Sequence, residues 1–295
     1  MAAKIRVAHI SDLHLTPSNR FSRLEPKLFG KLRGMNRNFR SLMQSGIWGD
    51  IDWLLVTGDV TDRGDLDSWH FFWELIEEAG FKNRCLVVPG NHDACNLGLS
   101  LRPKRESEQE GRERLRRLRR GLSLGKQPHR FPWLQKIADD VAIIGLESSN
   151  VGNLSILTNA VGSLGFRQLE ALARLLRKHR DIPIKIIMLH HSPNIPRRET
   201  ERKRGLSPTS KLARWGHEVP REDRRVLRLL AVTQNVRLIL HGHLHRAEAR
   251  RVNGVRIIGA LAATEPVDTK LPPIQLFDIY PKSRRVYSRS KQPGL

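Results

Sequence analysis

Cys85-Leu86-Val87-Val88-Pro89-Gly90-Asn91-His92-Asp93 is the stretch on which the reading of the fold turns. Its first half is a short, partly β-branched apolar run with the composition of a buried strand. Its second half sets an amide, an imidazole and a carboxylate side by side where that strand would end, with Gly90 permitting a tight bend. Asn91 offers a neutral oxygen ligand for a metal, while His92 can stay off the metal and be oriented by Asp93. Taken alone, the same residues also read as an Asn-His-Asp turn held by local hydrogen bonds.

The same grammar, an apolar run followed by metal-donor residues, recurs along the chain. Asp12 and His14 follow the run 5–10, and in an extended chain two residues so spaced point to one side and can share a metal; an ordinary Asp-Leu-His turn is the plainer alternative. Gly58-Asp59 follows the run 53–57 and leaves a carboxylate at a buried strand end, where an unpaired charge is costly. Two cations about 3.5–4 Å apart sharing Asp59 would neutralise it, whereas the plainer role is capping a turn through backbone amides. His190 and His191 follow the run 184–189, and successive strand residues face opposite sides, so one of them reaches a given metal; His190 is favoured, leaving His191 a structural histidine. After the run 236–240, His243 and His245 share a side and can serve neighbouring metals, while His241 lies deeper in the strand, outside the ligand set.

Between these runs lie helical patterns at 67–79, with Trp69, Phe72, Trp73 and Ile76 on one face, at 166–179, with Leu169, Leu172, Leu175 and Leu176, and at 221–233. Strand and helix therefore alternate, which argues for an α/β fold with much of the sheet parallel. The run 141–146 is a further strand. Beyond His245 the pattern turns β-rich, over about 246–290. Strands at 249–252 and 255–258 flank the hairpin signal Asn253-Gly254, and those at 274–280 and 285–288 would complete a second sheet packed on the first. The motifs run from Asp12 to His245, so a cut in the middle would divide the site, and all 295 residues are read as one domain.

Lys plus Arg number 52 against 30 Asp plus Glu, a formal charge of +22, which favours anionic partners: phosphate esters, nucleic acids or acidic lipid surfaces. Two cysteines, Cys85 and Cys95, are too few for a disulfide framework and suit a reducing cytoplasm. Charge interrupts the first ten residues before a signal-peptide core can form, and no apolar stretch reaches the roughly 20 residues of a membrane helix, so the chain reads as soluble or peripheral. Residues 102–130 hold 11 basic and 4 acidic residues, with Leu115, Leu118 and Leu122 at helical spacing, and read as a basic helical insertion. Residues 197–204, with five basic and two acidic residues, read as an exposed loop. Residues 20–40, with seven basic and one acidic residue interleaved with Phe21, Leu24, Leu28, Phe29, Leu32 and Phe39, read as an ordinary amphipathic helix or as a cationic lid suited to an amphiphilic phosphate or an anionic membrane.

In the order D-x-H, G-D, G-N-H-D, H, G-H-x-H, residues 7–245 resemble the calcineurin-like metallophosphoesterase superfamily. The resemblance implies a four-layer α/β/β/α sandwich of two mixed sheets flanked by helices, with the metals at the sheet edge. It implies one metal on Asp12, His14, Asp59 and His245, and another on Asp59, Asn91, His190 and His243. Where relatives carry His-His-Pro-Pro with the first histidine as ligand, this chain has His190-His191-Ser192-Pro193.

The reaction to expect is hydrolysis of a phosphoester, most readily a phosphodiester, by a hydroxide held between two cations and attacking in line. His92 would protonate the leaving group, with Asp93 favouring its charged form. Nitrogen and oxygen donors without thiolate suit manganese, iron or zinc, and the resemblance favours the first two. Ser11-Asp12-Leu13-His14-Leu15 together with the later motifs looks like the branch of cyclic-nucleotide and small phosphodiester hydrolases. Related UDP-diacylglucosamine hydrolases share that opening but have arginine in place of His92. The arginines of 112–120 raise a nuclease as an alternative, though little aromatic residue is interleaved to stack bases. A scaffold that kept the fold without the activity is the rival of a different class, and the full set of motif residues argues against it.

Overall fold

Alternate residues of the first strand, β1 (Ile5–Ile10), face two different cores, and the architecture follows from that alternation. The computed structural model describes residues 4–18, 34–94, 107–149, 162–193, 219–264 and 274–288. In the first sheet β1, β2 (Trp53–Val56) and β3 (Cys85–Val87) run parallel, with β10 (Gln275–Tyr280) antiparallel beside β1 and β11 (Arg285–Ser288) outside it. The second sheet has the order β4 (Trp133–Ala138), β5 (Val141–Gly145), β6 (Ile184–Met188), β7 (Val236–His241), β9 (Val255–Gly259), β8 (Glu248–Val252). Its four inner strands are parallel and its two edges antiparallel.

Three apolar layers bind these sheets. Ala8, Ile10, Leu54 and Val56 turn outward onto Phe39 of α1 (Met35–Met43), Trp69, Phe72 and Ile76 of α2 (Leu66–Glu78), and Leu118 and Leu122 of α3 (Glu108–Leu124). Val7, Leu55, Leu86 and Phe277 turn inward and meet Ile143, Ile186, Leu238 and Leu240 of the second sheet. On its far side that sheet packs Ile144, Ile187 and Ile239 against Leu169, Leu172 and Leu176 of α4 (Phe166–Lys178) and Leu227 and Ala231 of α5 (Arg221–Thr233). The fold is thus two mixed sheets flanked by helices. Burying both faces of every inner strand explains why these strands read as continuous apolar runs rather than alternating ones.

One expectation is corrected, and two features that the sequence left unread come to light. The β-rich tail does not build a sheet of its own: β8 and β9 extend the second sheet, while β10 and β11 extend the first. Strand β4 lacks a clean apolar signal because Gln135 and Lys136 sit in its exposed middle on an edge. The basic helical insertion read at 102–130 is a helix in its described part, α3, and it belongs to the first helical layer. It starts with a capping box between Ser107 and Glu110, seats Gly121 and Gly125 on the rings of Trp69 and Trp73, and accepts a 2.9 Å hydrogen bond from Trp73 Nε1 at the Gly121 carbonyl. Arg114, inside its arginine run, is buried and donates to the Ala94 carbonyl, directly after Asp93. Of the segment 20–40, the described part forms the start of α1 and residues 20–33 lie outside the described residues, as do 102–106, Cys95 and the loop 197–204. Among the described residues no helix is long and apolar enough to cross a membrane.

Candidate metal centre

Asp12, Asp59 and Asn91 follow the C-terminal ends of three adjacent parallel strands of the first sheet, and His190 and His243 follow two adjacent parallel strands of the second. Backbone hydrogen bonds stitch these loops together: Asp12 N to Gly58 O at 3.0 Å, His14 N to Asp59 O at 2.9 Å, and Gly242 N to His190 O at 3.0 Å. Side chains from distant parts of the chain therefore meet at one edge of the sandwich. Three groups of donor atoms converge there, each within 4.8 Å: Asp12, His14 and His245; Asp59, His190 and His243; and His14, Asp59 and His92.

Asp59 sits between the groups. Its Oδ2 lies 3.7 Å from His14 Nε2 and 3.2 Å from His190 Nε2, while its Oδ1 accepts from the His92 amide at 2.9 Å. His190 Nδ1 faces the Thr57 carbonyl at 2.7 Å, which places the proton on Nδ1 and the lone pair on Nε2. That Nε2 faces Asn91 Oδ1 and His243 Nδ1, both at 3.1 Å. On the other side His14 Nε2 and His245 Nε2 approach to 3.1 Å, with Asp12 Oδ1 3.5 Å from His245 Nε2. Lone pairs aimed at one another in a buried space repel unless a cation lies between them. The carboxylates draw positive charge to the same place, as a proton on His190 Nε2 where no metal ion takes it. Burial lowers the basicity of His190, yet the charges of Asp59 and Asp12 outweigh it and push its pKa up to about 9; burial likewise opposes ionisation of Asp59, yet His190 and His92 hold its carboxyl well below the usual range. An N/O donor set gathered around buried carboxylates fits divalent ions.

The means of convergence differs from simple strand alternation. Asp12, His14, Asp59, His243 and His245 all have left-handed backbones, with φ of 55°, 48°, 50°, 68° and 47°. Such conformations are costly for residues with a Cβ and persist where surrounding contacts dictate them, which is common at functional sites. Gly90 is likewise needed for space rather than for its bend: a Cβ there would overlap the Asp59 carboxylate, and one on Gly242 would overlap Ser11 and Asp12.

The expectation that Asp93 orients His92 is corrected. Asp93 spends both oxygens on the neighbouring loop and its own turn, accepting from Thr61 N at 2.8 Å, Thr61 Oγ1 at 3.0 Å, Gly90 N at 2.9 Å and Val60 N at 3.2 Å. His92 Nδ1 instead faces the Asp62 carbonyl at 3.0 Å, with Asp62 Oδ1 at 3.9 Å and also 3.5 Å from His14 Nδ1. Asp62 was missed in the sequence because it stands three residues beyond the Gly-Asp pair, in a turn whose course no local pattern reveals. Ser148 was missed too: its hydroxyl receives the amides of His190 and His191 at 3.1 and 3.0 Å and pairs with His191 Nδ1 at 3.1 Å. His191 packs its ring 4.3 Å from that of His243, and His241 turns from the centre toward Glu248, 3.7 Å away.

The calcineurin-like phosphoesterase family profile matches residues 5–247. Among curated proteins, a probable cyclic nucleotide phosphodiesterase of Coxiella burnetii is 29% identical over 102 residues, 34% of this chain and 37% of that protein. A second, from Vesicomyosocius okutanii, is 26% identical over 211 residues, 71% of this chain and 69% of that protein. The chain thus spans little more than a third of the first relative and just over two thirds of the second. Among solved structures, a dimetal phosphatase from Danio rerio superposes with a TM-score of 0.59 at 13% identity, covering 94% of this chain and 93% of that one. The phosphopantetheinyl hydrolase of Mycobacterium tuberculosis gives a TM-score of 0.51 at 15% identity over 100% and 99% of the two chains. These two likenesses speak for the fold, and the profile match over most of the sequence speaks for the lineage: the chain belongs to the calcineurin-like phosphoesterase family.

Proposed function

We propose that this chain is a phosphodiesterase that works with two metal ions. One is held by Asp12, His14, Asp59 and His245, the other by Asp59, Asn91, His190 and His243. The observation that carries the reading is the position of Asp59 Oδ2, 3.7 Å from a histidine of one group and 3.2 Å from a histidine of the other. When bound, such ions supply Lewis acidity, lowering the pKa of water and offsetting charge on the phosphoryl oxygens. Manganese or iron is preferred to zinc.

The protein's own contribution is positioning and proton management. The Thr57 carbonyl fixes the tautomer of His190, and the His92 amide holds Asp59 by its other oxygen. His92 sits with its ring centroid 4.6 Å from that of His14 and its Nδ1 on the Asp62 carbonyl, and its Nε2 is the atom assigned to donate a proton to the departing alkoxide. The Asp62 carboxylate stands 3.9 Å from Nδ1. Asp93 acts at one remove, by tying the 90–93 turn to residues 60 and 61. The names of the two curated relatives make cyclic nucleotides the first phosphodiesters to try.

The test is hydrolysis of bis-p-nitrophenyl phosphate by protein stripped with chelator and reloaded with manganese, iron or zinc. Activity that vanishes with chelator and returns with metal is expected. A fully loaded, folded protein that hydrolyses neither this diester nor a cyclic nucleotide would overturn the reading in favour of a scaffold.

A further inference from the structure

The apolar layer between the two sheets turns polar at the end where the metal centre stands. Val7 of β1, Leu55 of β2 and Phe277 of β10 point inward, and the next residues on that face toward the metal centre are His9, Thr57 and Gln275. All three are buried. His9 Nδ1 lies 2.8 Å from Gln275 Oε1, and His9 Nε2 lies 2.8 Å from Thr57 Oγ1. Gln275 donates from Nε2 to the Gly259 carbonyl at 2.6 Å, so its Oε1 is an acceptor. That places the His9 proton on Nδ1 and leaves Nε2 to accept from the Thr57 hydroxyl. Burial holds the pKa of His9 down to about 4, so the imidazole is uncharged at neutral pH.

From Thr57 the bonds continue into the metal centre. The Thr57 carbonyl accepts from His190 Nδ1 at 2.7 Å and from Ser11 Oγ at 3.1 Å, and Thr57 stands two residues before Asp59. Both ends of this chain of bonds lie in the second sheet, where Gly259 closes β9 and His190 follows β6. Its middle, Gln275, His9 and Thr57, stands in or directly after strands of the first. The bonds thus cross between the sheets twice. Apolar packing between sheets is non-directional, whereas hydrogen bonds fix distance and orientation. The donor groups need that precision: Asp59 comes from the first sheet and His190 from the second, and a working site holds its groups to within about 0.5 Å.

We propose that His9 is a positioning residue. With Gln275 and Thr57 it forms a buried clamp that sets the spacing of the two sheets beneath the metal centre, and with it the fit of Asp59 and His190 around an ion. The proposal rests on the two-metal reading for the identity of what those groups hold.

Calorimetric titration of manganese into metal-free protein tests it without turnover. Thr57→Val keeps the side-chain shape and removes the hydroxyl, so it should weaken manganese binding by about tenfold or more, while Thr57→Ser should bind like the wild type. His9→Leu should lose as much as Thr57→Val, and the two together no more than either alone, because each breaks the same link. Val7→Ala, which loosens the apolar packing two residues from His9, should lower the melting temperature and leave the affinity unchanged. Wild-type affinity in a folded Thr57→Val protein would overturn the proposal. So would additive losses in the double variant, or an equal loss in Val7→Ala, which would trace the effect to general loosening. If His9→Leu does not fold, the contrast between Thr57→Val and Thr57→Ser decides alone. Stoichiometry keeps the two readings apart: a wild type that takes up one ion refutes the two-metal reading and leaves the clamp to the same contrast, whereas two ions with no contrast sink the clamp alone.

Discussion

The two halves of the centre are built to different tolerances. Around His190 everything is locked: its side chain is 0% exposed, Nδ1 rests on the Thr57 carbonyl, its amide is held by Ser148, and Asp59 is pinned by the His92 amide. Around His245 the arrangement is more open, with a side chain 18% exposed and a ring tilted 5.1 Å from that of His14. Ligands whose rotamers are fixed in advance lose less freedom on binding, so the buried half should hold its ion more tightly than the outer half. On the two-metal proposal, the contrast predicts one firmly held ion and one exchangeable ion sharing a carboxylate.

Removing the shared group should abolish the distinction. Asp59→Asn is expected to lower kcat/KM for bis-p-nitrophenyl phosphate by about 10³-fold or more and to reduce metal content in both halves, measured by elemental analysis. Next in size, His190→Ala and His245→Ala should each slow hydrolysis by about 10²-fold or more, yet differ in rescue. Millimolar manganese should restore much of the His245→Ala activity and little of the His190→Ala activity; equal rescue would erase the contrast between the halves.

His92→Ala should keep both ions and lower turnover of a poor leaving group by about 10²–10⁴-fold, with a smaller loss for p-nitrophenolate, which departs without a proton. A variant that cleaves an alkyl ester as fast as the wild type would remove His92 from its role. The smallest effect concerns Glu147, half-buried beyond β5 and within electrostatic reach of His190. Burial pushes its carboxyl up to about 8, from about 4.3 in an unfolded chain. A carboxyl raised on folding takes up a proton, so its contribution to stability is greatest at low pH and is lost as pH rises toward 8. Glu147→Gln removes that slope. Melting temperatures of the metal-loaded proteins should be close at pH 5 and favour the variant at pH 8.5; parallel curves would contradict the burial argument.

Much of the fold was legible because the inner strands are buried on both faces and so appear as short apolar runs, with Trp69, Phe72, Trp73 and Ile76 marking α2 by their helical spacing. Edge strand β4 and the division of the tail between sheets were not legible, since pairing partners are chosen by tertiary contact rather than local pattern. At the centre, the types and order of the donor residues were visible, but the manner of their meeting was not. Asp12 and His14 converge through left-handed backbone, Gly90 through missing volume, and Asp62 through a turn, and none of these leaves a periodic trace.

The central claim is that Asp59 lies between two cations. Anomalous diffraction from crystals of the manganese-loaded protein tests it most directly. The account predicts two peaks about 3.5–4 Å apart flanking the Asp59 carboxylate, the one beside His190 at fuller occupancy. A single peak, or ions bound away from Asp59, would contradict it.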